Sequence, residues 1–265
     1  MPRGLSNANA IIKSRSFDDL REWLDLIERL MTLRSLVIIP AYNEEEAILE
    51  TVKNVVSSGY DYVVVNDGSK DDTLDLCRKN GVNVLDLPHN LGIGGAVQAG
   101  HMYAQRHGYD IDIQFDGDGQ HDASYLDELV SKIEEGRDLV IGSRYLASTD
   151  GFQSTAMRRF GKSLLSGVIR LVSGEVITDP TSGFRACGRR AIDLFCIDYP
   201  TDYPEPESIV HALNSGLEIE EVPVLMHERQ GGISSIGVIS SAYYMIKVTL
   251  AILIDSLAYR LGRNR

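Results

Sequence analysis

Short apolar runs alternate with helix-like segments along the first half of the chain. The uninterrupted runs at 36–39 and 62–65 are typical of strands buried on both faces of a parallel sheet. Further runs predict strands at 82–85, 111–115 and 139–141. Because helix-like segments separate these strands, the pattern predicts an α/β fold with a mainly parallel central sheet and helices on both faces.

Polar residues mark the predicted helix starts. Asn43 is positioned to cap a helix over 44–57, the stretch 69–72 opens one that ends at Lys79, and Asp122 or Ser124 caps another. A helix across 95–107 lies between them. Beyond Gly142 the pattern predicts two helices and one strand, at 156–172, 206–215 and 219–225.

Both ends of the chain carry helical patterns outside this alternation. Residues 1–34 are predicted to form an extension with one helix, opened by Ser16 and Asp19 as a capping box. Residues 236–265 are predicted to form an amphipathic helix with a broad apolar face. That face suits an anionic membrane surface or a small membrane partner protein, whereas packing into the core or a homodimer is the alternative. The apolar positions of this helix are Ile239, Tyr243, Met245, Ile246, Val248, Leu250, Ile252, Leu253, Leu257 and Leu261.

The amino-acid composition and the net charge limit the kinds of molecule that the protein can bind. The chain has 265 residues, 43% of them hydrophobic, which is enough for one large α/β domain. Its formal net charge of −12 excludes a general nucleic-acid binder, since that affinity needs clustered positive charge. Residues 137–190 nevertheless contain nine basic and four acidic residues. This local excess suits a small anionic ligand such as a diphosphate, with a solvated basic surface as the alternative.

The cysteines and the apolar segments indicate in which cellular compartment the protein is expected. The three cysteines are odd in number and lack metal-ligand spacing, so they are interpreted as reduced thiols, with Cys187 and Cys196 assigned to packing. Lys247 and Asp255 interrupt the most apolar stretch, and no signal-peptide pattern is visible. We therefore expect a cytoplasmic protein that is either soluble or peripheral on the inner face of the cell membrane.

The segment after the fourth predicted strand carries the most specific chemistry. Asp116 and Asp118 are separated only by Gly117, which crowds two negative charges and raises one carboxyl pKa unless a cation is present. Oxygen ligands suit Mg²⁺ or Mn²⁺, and Gln120 adds a neutral oxygen. Such an ion bridges the protein to a diphosphate and neutralises it as it leaves. The alternative is a plain Asp/Gly turn.

Polar loops also follow the first two strands. Tyr42, with the polar residues up to Glu45, begins a helix after the first strand, and Asp67 follows the second. An acidic side chain there can accept hydrogen bonds from a base or a ribose hydroxyl. Helix capping by Asn43 and Ser69 is the alternative.

A glycine cluster at 92–97 suggests dinucleotide binding but fails that test. Val97 stands where the third glycine or alanine belongs, and the unit is third along the chain rather than first. The glycines, Gly94 among them, are instead interpreted as allowing the helix to pack close to the sheet and to a bound nucleotide.

Two later segments supply further candidates. Glu205 and Glu207 lie at the start of a predicted helix, where Glu205 is the first choice as general base and Glu207 orients the acceptor or the helix. Carboxylates that only stabilise a helix N-terminus are the alternative. Arg229, in the loop after the last strand, supplies positive charge that could close over a diphosphate, with an ordinary surface loop as the alternative.

Taken in order, these motifs resemble family 2 glycosyltransferases, especially the branch similar to dolichol-phosphate-mannose synthases. The likeness covers about residues 35–235. It is carried by the segments 39–44, 65–69, 90–100, 116–121, 142–144 and 181–185.

The resemblance implies a GT-A fold with a catalytic domain at 35–235 and assigns roles by position. Metal binding falls to Asp116, Asp118 and Gln120, and catalysis to Glu205, Glu207 and Asp118. Many family members have a Glu-Asp pair where this chain has Glu-Pro-Glu, and an acceptor that is already a phosphate anion requires no base. Nucleotide-sugar binding is implied for Pro40, Ala41, Tyr42, Glu44, Asp67, Gly94, Asp116, Gly117, Arg144, Arg185 and Arg229.

The implied reaction moves a sugar, with inversion, from a nucleoside diphosphate sugar to a lipid-linked or cell-wall glycan acceptor or to a polyprenyl phosphate. Two alternatives stay open. A sugar nucleotidyltransferase shares the sheet and the metal carboxylates, but it normally has a Gly-rich basic loop after the first strand, and the loop at 40–45 is acidic. A noncatalytic nucleotide-sugar-binding subunit of a membrane complex would not need the acidic residues.

Overall fold

The computed structural model describes residues 33–146, 156–202, 204–227 and 238–263. Its sheet has seven strands in the order β3-β2-β1-β4-β6-β5-β7. Every pairing is parallel except the two made by β6, which runs antiparallel to both β4 and β5. The strands are β1 Ser35–Ala41, β2 Asp61–Asn66, β3 Val84–Asp86, β4 Ile111–Gln114, β5 Leu139–Ser143, β6 Arg185–Gly188 and β7 Ile219–Pro223.

Helices cover both faces of the sheet. They are α1 Ile48–Ser57, α2 Thr73–Lys79, α3 Gly92–Arg106, α4 Leu126–Glu134, α5 Ala156–Ser173, α6 Arg189–Ile197, α7 Pro204–Asn214 and α8 Val238–Arg263. Side chains of α1, α2 and α4 pack in one core cluster with Val37 and Ile39, whereas α3 packs over Leu36 and Ile38 on the other face. Both faces of β1 are therefore buried, which is why its sequence is uniformly apolar.

A second core cluster lies on the α3 side of the sheet. It joins Leu139 and Ile141 of β5 to α5, α6, α7 and α8, and the last helix contributes Val248 and Ile252. Among the described helices, none is long and apolar enough to cross a membrane.

Most predicted elements are confirmed, with differences at their ends. The helix predicted from residue 44 begins at Ile48, and the prediction that Asn43 caps it is wrong. The backbone φ of Asn43 is +58°, and its side-chain oxygen accepts the main-chain N–H of Lys70 instead. Asp122 does act as a cap, but of the 3₁₀ turn Ala123–Tyr125 that leads into α4, since its carboxylate accepts the N–H of Ser124. The helix predicted near Ser16 lies outside the described residues.

Two elements were not predicted, the strand β6 and the helix α6. The four residues of β6 begin with an arginine and include an alanine and a glycine, so they show no apolar run. The strand is nevertheless central, because β4 and β5 flank it and bury all four residues.

Candidate active site

One edge of the sheet gathers the chain segments that carry the motifs. The carboxyl ends of β1, β2, β4 and β5 meet there, as parallel strands require. The antiparallel β6 starts at the same edge, with Arg185 paired to Gln114 of β4 and to Ile141 of β5. Loops from both halves of the chain therefore converge on one opening.

Hydrogen bonds join the loops after β1 and β2. Asn43 N–H donates to Ser69 Oγ (3.0 Å), and Glu44 N–H donates to Thr73 Oγ1 (2.8 Å). Glu45 exchanges two further bonds with the second loop, accepting from Asp72 N–H and donating to the Asp71 carboxylate. Tyr42 stands beside this junction with 40% of its surface exposed, so its ring is available to a ligand.

Asp67 is buried and held by the start of α3. Its two carboxylate oxygens accept main-chain N–H groups from Leu91 (2.7 Å) and Gly92 (2.9 Å). Burial raises the pKa of this carboxyl, and the two N–H donors oppose the rise. Each oxygen keeps a second lone pair, so Asp67 can still accept a hydrogen bond from a ligand hydroxyl.

Close packing against the end of β1 orients the Asp116–Asp118 segment. A side chain at Gly117 would come within 3.0 Å of the carbonyl oxygen of Pro40 and within 3.7 Å of Ala41 Cβ. Asp118 is 4% exposed, and its Oδ1 accepts the N–H of Gln120 (3.0 Å). The Asp116 carboxylate is more open, with 35% of its side chain exposed.

His121 supports Asp116, a role that the sequence did not reveal. Its Nδ1 accepts the main-chain N–H of Asp116 (3.0 Å), so in the neutral ring the proton is on Nε2, which lies 3.5 Å from Asp116 Oδ2. Burial lowers the pKa of His121, against the opposing charges of Asp116 and Asp118. The ring stacks on Phe184 at 4.7 Å. The signal available beforehand was its position at the end of the 116–121 motif.

The chemistry of this group fits a hard divalent cation. Asp116 and Asp118 bring two carboxylates to the opening, and the nearby His121 is neutral rather than a compensating positive charge. The main chain of Gln120 is linked to the segment that follows β7, because its carbonyl oxygen accepts the N–H of His227 (2.8 Å). Carboxylate and amide oxygens are the donors that Mg²⁺ and Mn²⁺ prefer.

Two of the predicted phosphate-binding arginines have protein partners. Arg144 makes a bidentate pair with buried Asp179, with both N···O distances 2.7 Å, and it also donates to Thr181. Burial alone would lower the pKa of Arg144, but Asp179 raises it above the ordinary value. Arg229 lies outside the described residues.

Arg185 is 3% exposed, and its buried side chain forms hydrogen bonds with the start of α7. Its guanidinium donates to Ser208 Oγ (2.9 Å) and to the carbonyl oxygens of Ser182 (2.7 Å) and Glu205 (2.9 Å). Its contacts are therefore those of a residue that positions the helix carrying Glu205.

Among the basic residues of 137–190 whose side chains are described, Arg137, Arg144, Arg189 and Arg190 form ion pairs within the chain. Arg137 pairs with Glu218 and Glu220, and Arg190 pairs with Asp138 at 2.7 Å. Arg137 and Arg190 lie at the opposite end of β5 from the opening, so these two of the nine basic residues are not part of a ligand-binding surface there.

The two candidate carboxylates of α7 face different surroundings. Burial raises the pKa of Glu205; the charges of Arg185 and Arg144 oppose that rise and the charge of Asp116 adds to it. Burial also raises the pKa of Glu207, but the charges acting on it belong to Lys247, Asp202 and Asp255. The main chain of Glu205 is held by Arg185 at the edge of the sheet where the opening lies, whereas the helix that carries Glu207 packs against α8.

Gly94 connects the glycine cluster to α7. Its N–H donates to the carbonyl oxygen of Thr201 (3.1 Å), and a side chain there would come within 2.1 Å of Pro200 O. Gly100, two turns on, would clash with Ile38 of β1 at 2.3 Å. The predicted close approach of the helix to the sheet is thus confirmed, and a contact with the 200–201 segment is added to it.

A buried polar cluster lies deeper in the core. His101 Nδ1 is 2.7 Å from Asp112 Oδ2, and Cys187 offers its sulfur beside them, with all three ligand-type atoms within 4.8 Å of one another. Burial raises the pKa of the Cys187 thiol well above its usual value, so the thiol stays protonated and packs as the sequence predicted. Within the described residues, His101 Nε2 and Asp112 Oδ1 have no hydrogen-bond partner.

Comparison with known proteins agrees with this geometry. The profile described as Glycosyl transferase family 2 matches residues 36–195. A polyprenol monophosphomannose synthase from Mycolicibacterium smegmatis is 33% identical over 229 residues, covering 82% of this chain and 86% of that protein. An undecaprenyl-phosphate mannosyltransferase from Micrococcus luteus is 32% identical over 246 residues, covering 87% of this chain and 100% of that protein.

Solved structures confirm the predicted GT-A fold. Glucosyl-3-phosphoglycerate synthase from Mycobacterium tuberculosis, crystallised with Mn²⁺, UDP-glucose and phosphoglyceric acid, matches with a TM-score of 0.64 at 21% identity. The match covers 90% of this chain and 84% of that one.

Proposed function

This chain belongs to glycosyl transferase family 2, and we propose that it transfers a sugar from a nucleoside diphosphate sugar to a polyprenyl phosphate, with inversion at the anomeric carbon. The observation that carries the proposal is that Asp116 and Asp118 follow β4 at the carboxyl edge of the sheet, where Arg185, paired with Gln114 of the same strand, holds the main chain of Glu205. The two relatives named for polyprenyl and undecaprenyl phosphate transfer support the choice of acceptor.

In this proposal the first half of the domain holds the donor. Tyr42 offers an exposed ring, and Asp67 accepts a hydrogen bond from the nucleoside. Asp116, Asp118 and Gln120 would hold Mn²⁺ or Mg²⁺, as suggested by the manganese-containing structure of the related fold. When bound, the ion neutralises the diphosphate as it leaves.

The second half of the domain receives the acceptor. Glu205 lies on the α7 side of the opening, and its raised pKa suits a group that takes a proton from the attacking acceptor oxygen. Arg144, fixed by Asp179, contributes a positive charge to the same opening. His121 keeps the main chain of Asp116 in place through its Nδ1 acceptor.

The experiment is transfer from a panel of nucleoside diphosphate sugars to a short-chain polyprenyl phosphate, with and without Mn²⁺. We expect transfer to depend on the metal and to give a lipid-linked sugar phosphate. NMR should show that its anomeric configuration is inverted relative to the donor sugar. A product with retained configuration, or transfer that ignores the metal, would contradict the proposal.

Asp118→Ala provides the sharpest test of the metal site. We expect transfer to fall by about 10²-fold or more, since a group that stabilises the leaving charge is removed. The rise in melting temperature on adding Mn²⁺ and nucleoside diphosphate should vanish with it, because specific ligands stabilise by mass action. Asp75→Ala removes the same charge from an exposed position on α2 and serves as the control. Normal binding and turnover by Asp118→Ala would rule the site out.

A further inference from the structure

Helix α8 has two apolar faces, and the fold uses only one of them. Val248 and Ile252 are fully buried against the core cluster that includes α5 and α7. The polar contacts to neighbouring residues also fix the orientation of α8. Asn214 of α7 donates to the Asp255 carboxylate, and Lys247 pairs with Asp202.

The other face exposes an aliphatic stripe. Its members are between 40% and 64% exposed, whereas Val248, Ile252 and Ser256 on the same helix are buried. At about 100° per residue they fall within an arc of about 100°, so they form one continuous surface. The members of the aliphatic stripe are Ile246, Leu250, Leu253, Ile254, Leu257 and Leu261.

A surface of this kind is uncommon on a protein that remains alone in water. Single exposed leucines are ordinary, but a contiguous aliphatic surface marks a site of association. Helix α5, which packs against α8, adds Leu164 and Leu171 as exposed residues two turns apart on one of its own faces.

We infer that the aliphatic stripe of α8 docks on an anionic membrane surface. The stripe contains only leucine and isoleucine, whereas the residues that dominate protein–protein interfaces are tryptophan, tyrosine and arginine. In sequence, Arg260, Arg263 and Arg265 accompany the C-terminal end of the stripe, Lys247 is paired with Asp202, and Asp255 is the one acidic residue in the stretch 245–265 of a chain with net charge −12. Cationic residues beside an aliphatic face match anionic headgroups above acyl chains.

The helix lies along the membrane surface in this arrangement. Lys247 and Asp255 interrupt its apolar sequence, and its opposite face is occupied by the protein core. A helix with one face in the protein and the other in the interfacial region buries aliphatic side chains without crossing the bilayer.

Docking through α8 would bring the acceptor to the site, and this part rests on the proposed function. Helix α7 packs against α8 and carries Glu205 at its first turn. Burial raises the pKa of Glu207, two residues further along α7, and the positive charge of Lys247 on α8 opposes that rise. A lipid phosphate at the headgroup level beside α8 therefore has a short path to the opening that holds Glu205 and Asp116.

Vesicle binding tests the inference without requiring activity. The full chain is sedimented with vesicles of neutral phospholipid and with vesicles containing phosphatidylglycerol, and Leu250→Asp is compared with the unchanged chain. We expect binding to the anionic vesicles that weakens with salt, and a loss of about tenfold or more in Leu250→Asp, because a charged side chain replaces a leucine that would be buried among acyl chains. Val56→Asp is the matched control, since Val56 on α1 is also 52% exposed but lies on the other face of the sheet.

The outcomes separate this inference from the proposed function. Equal vesicle binding by Leu250→Asp and the unchanged chain, or none by either, would overturn the docking surface. So would a dimer that Leu250→Asp converts to monomer in the absence of vesicles, since a second copy would then cover the stripe. Transfer to a short soluble acceptor should be unchanged in Leu250→Asp and reduced only for acceptor embedded in vesicles. Absence of any transfer by the unchanged chain would count against the proposed function alone.

Discussion

The openness of Asp116 depends on a neighbour that has no side chain. A Cβ at Gly183 would lie 3.0 Å from Asp116 Oδ2, 3.2 Å from its Oδ1 and 3.0 Å from Gln114 Nε2. The segment that precedes β6 thus leaves just enough space for the carboxylate in its present position.

We expect Gly183→Ala to displace the Asp116 carboxylate and to reduce Mn²⁺-dependent stabilisation and transfer together, by about tenfold or more, since small displacements of positioned groups are costly. The measurements are the melting temperature with and without Mn²⁺ and the transfer rate. Gly167→Ala on α5 is the control, because a Cβ there meets nothing within 4 Å. Unchanged metal response in Gly183→Ala would show that the carboxylate tolerates the new methyl group.

Glu205 affects stability and activity in opposite directions. Burial raises its pKa in the folded chain, so its charged form is disfavoured on folding. The carboxyl therefore favours the folded state most below its ordinary pKa, and that advantage is lost as the pH rises through the raised value. A general base, by contrast, becomes active as the pH rises through that value, because it must lose its own proton before it can accept another.

Glu205→Gln should separate these two effects. We expect the variant to melt higher than the unchanged chain at pH 8 and equally at a pH of about 4, below the ordinary glutamate pKa. Transfer should fall by about 10²–10⁴-fold, and the transfer rate should no longer rise with pH through the titration of residue 205. Retention of full transfer would show that the acceptor's own phosphate anion attacks unaided.

Residue types and order were enough to predict which carboxylates lie at the edge of the sheet, but not the partners of the polar groups. Asp116 and Asp118 follow an apolar strand, so their position follows from the strand pattern. The pairing of Arg144 with Asp179, and of His101 with Asp112, joins residues distant in sequence, and no local signal indicates either. Asn43 was expected to cap a helix because asparagine does so in general, yet a contact across two loops is made instead.

Among the elements, the first turn of α3 determines where α7 begins. Gly94 touches the 200–201 backbone directly, and α7 starts at Pro204. The position of Glu205 therefore depends on the close packing of α3, although no residue of α3 is proposed to act as an acid or base in the reaction.

Gly94→Ala should push the 200–201 segment away, because Pro200 O and Thr201 O would lie 2.1 Å and 2.4 Å from the new Cβ. We expect a loss of about 1–3 kcal/mol in the free energy of unfolding, which is typical of overpacking, together with lower transfer. Urea unfolding and transfer rates measure the two effects, and the alanine at Gly167 again serves as reference. Unaltered stability would show that the two segments separate freely.

The strand β6 shows why a short element can escape sequence reasoning. Its residues are buried because of their neighbours in the sheet rather than because they are strongly apolar, and Arg185 is buried only because oxygens of the 180–208 region accept its five-donor guanidinium. Longer apolar strands such as β1 carry their own signal.

At the scale of the whole molecule, sequence periodicity predicted the apolar residues of α8 but not which of them face outward. The pattern grouped Val248 and Ile252 with Leu250 and Leu257, whereas the fold buries the first two and exposes the others. That division depends on where α5 and α7 lie, which no pattern within α8 contains.

The reversed direction of β6 has a consequence for how such enzymes diversify. Because it runs opposite to its neighbours, the chain between β5 and β6 leaves and returns at the same end of the sheet, beside the acidic pair. The connection can therefore change in length or sequence without reordering the strands, provided that Arg144, Asp179, Gly183 and the buried side chains of α5 are kept. A lineage could exchange one recipient molecule for another there while the machinery that grips the activated sugar stays as it was.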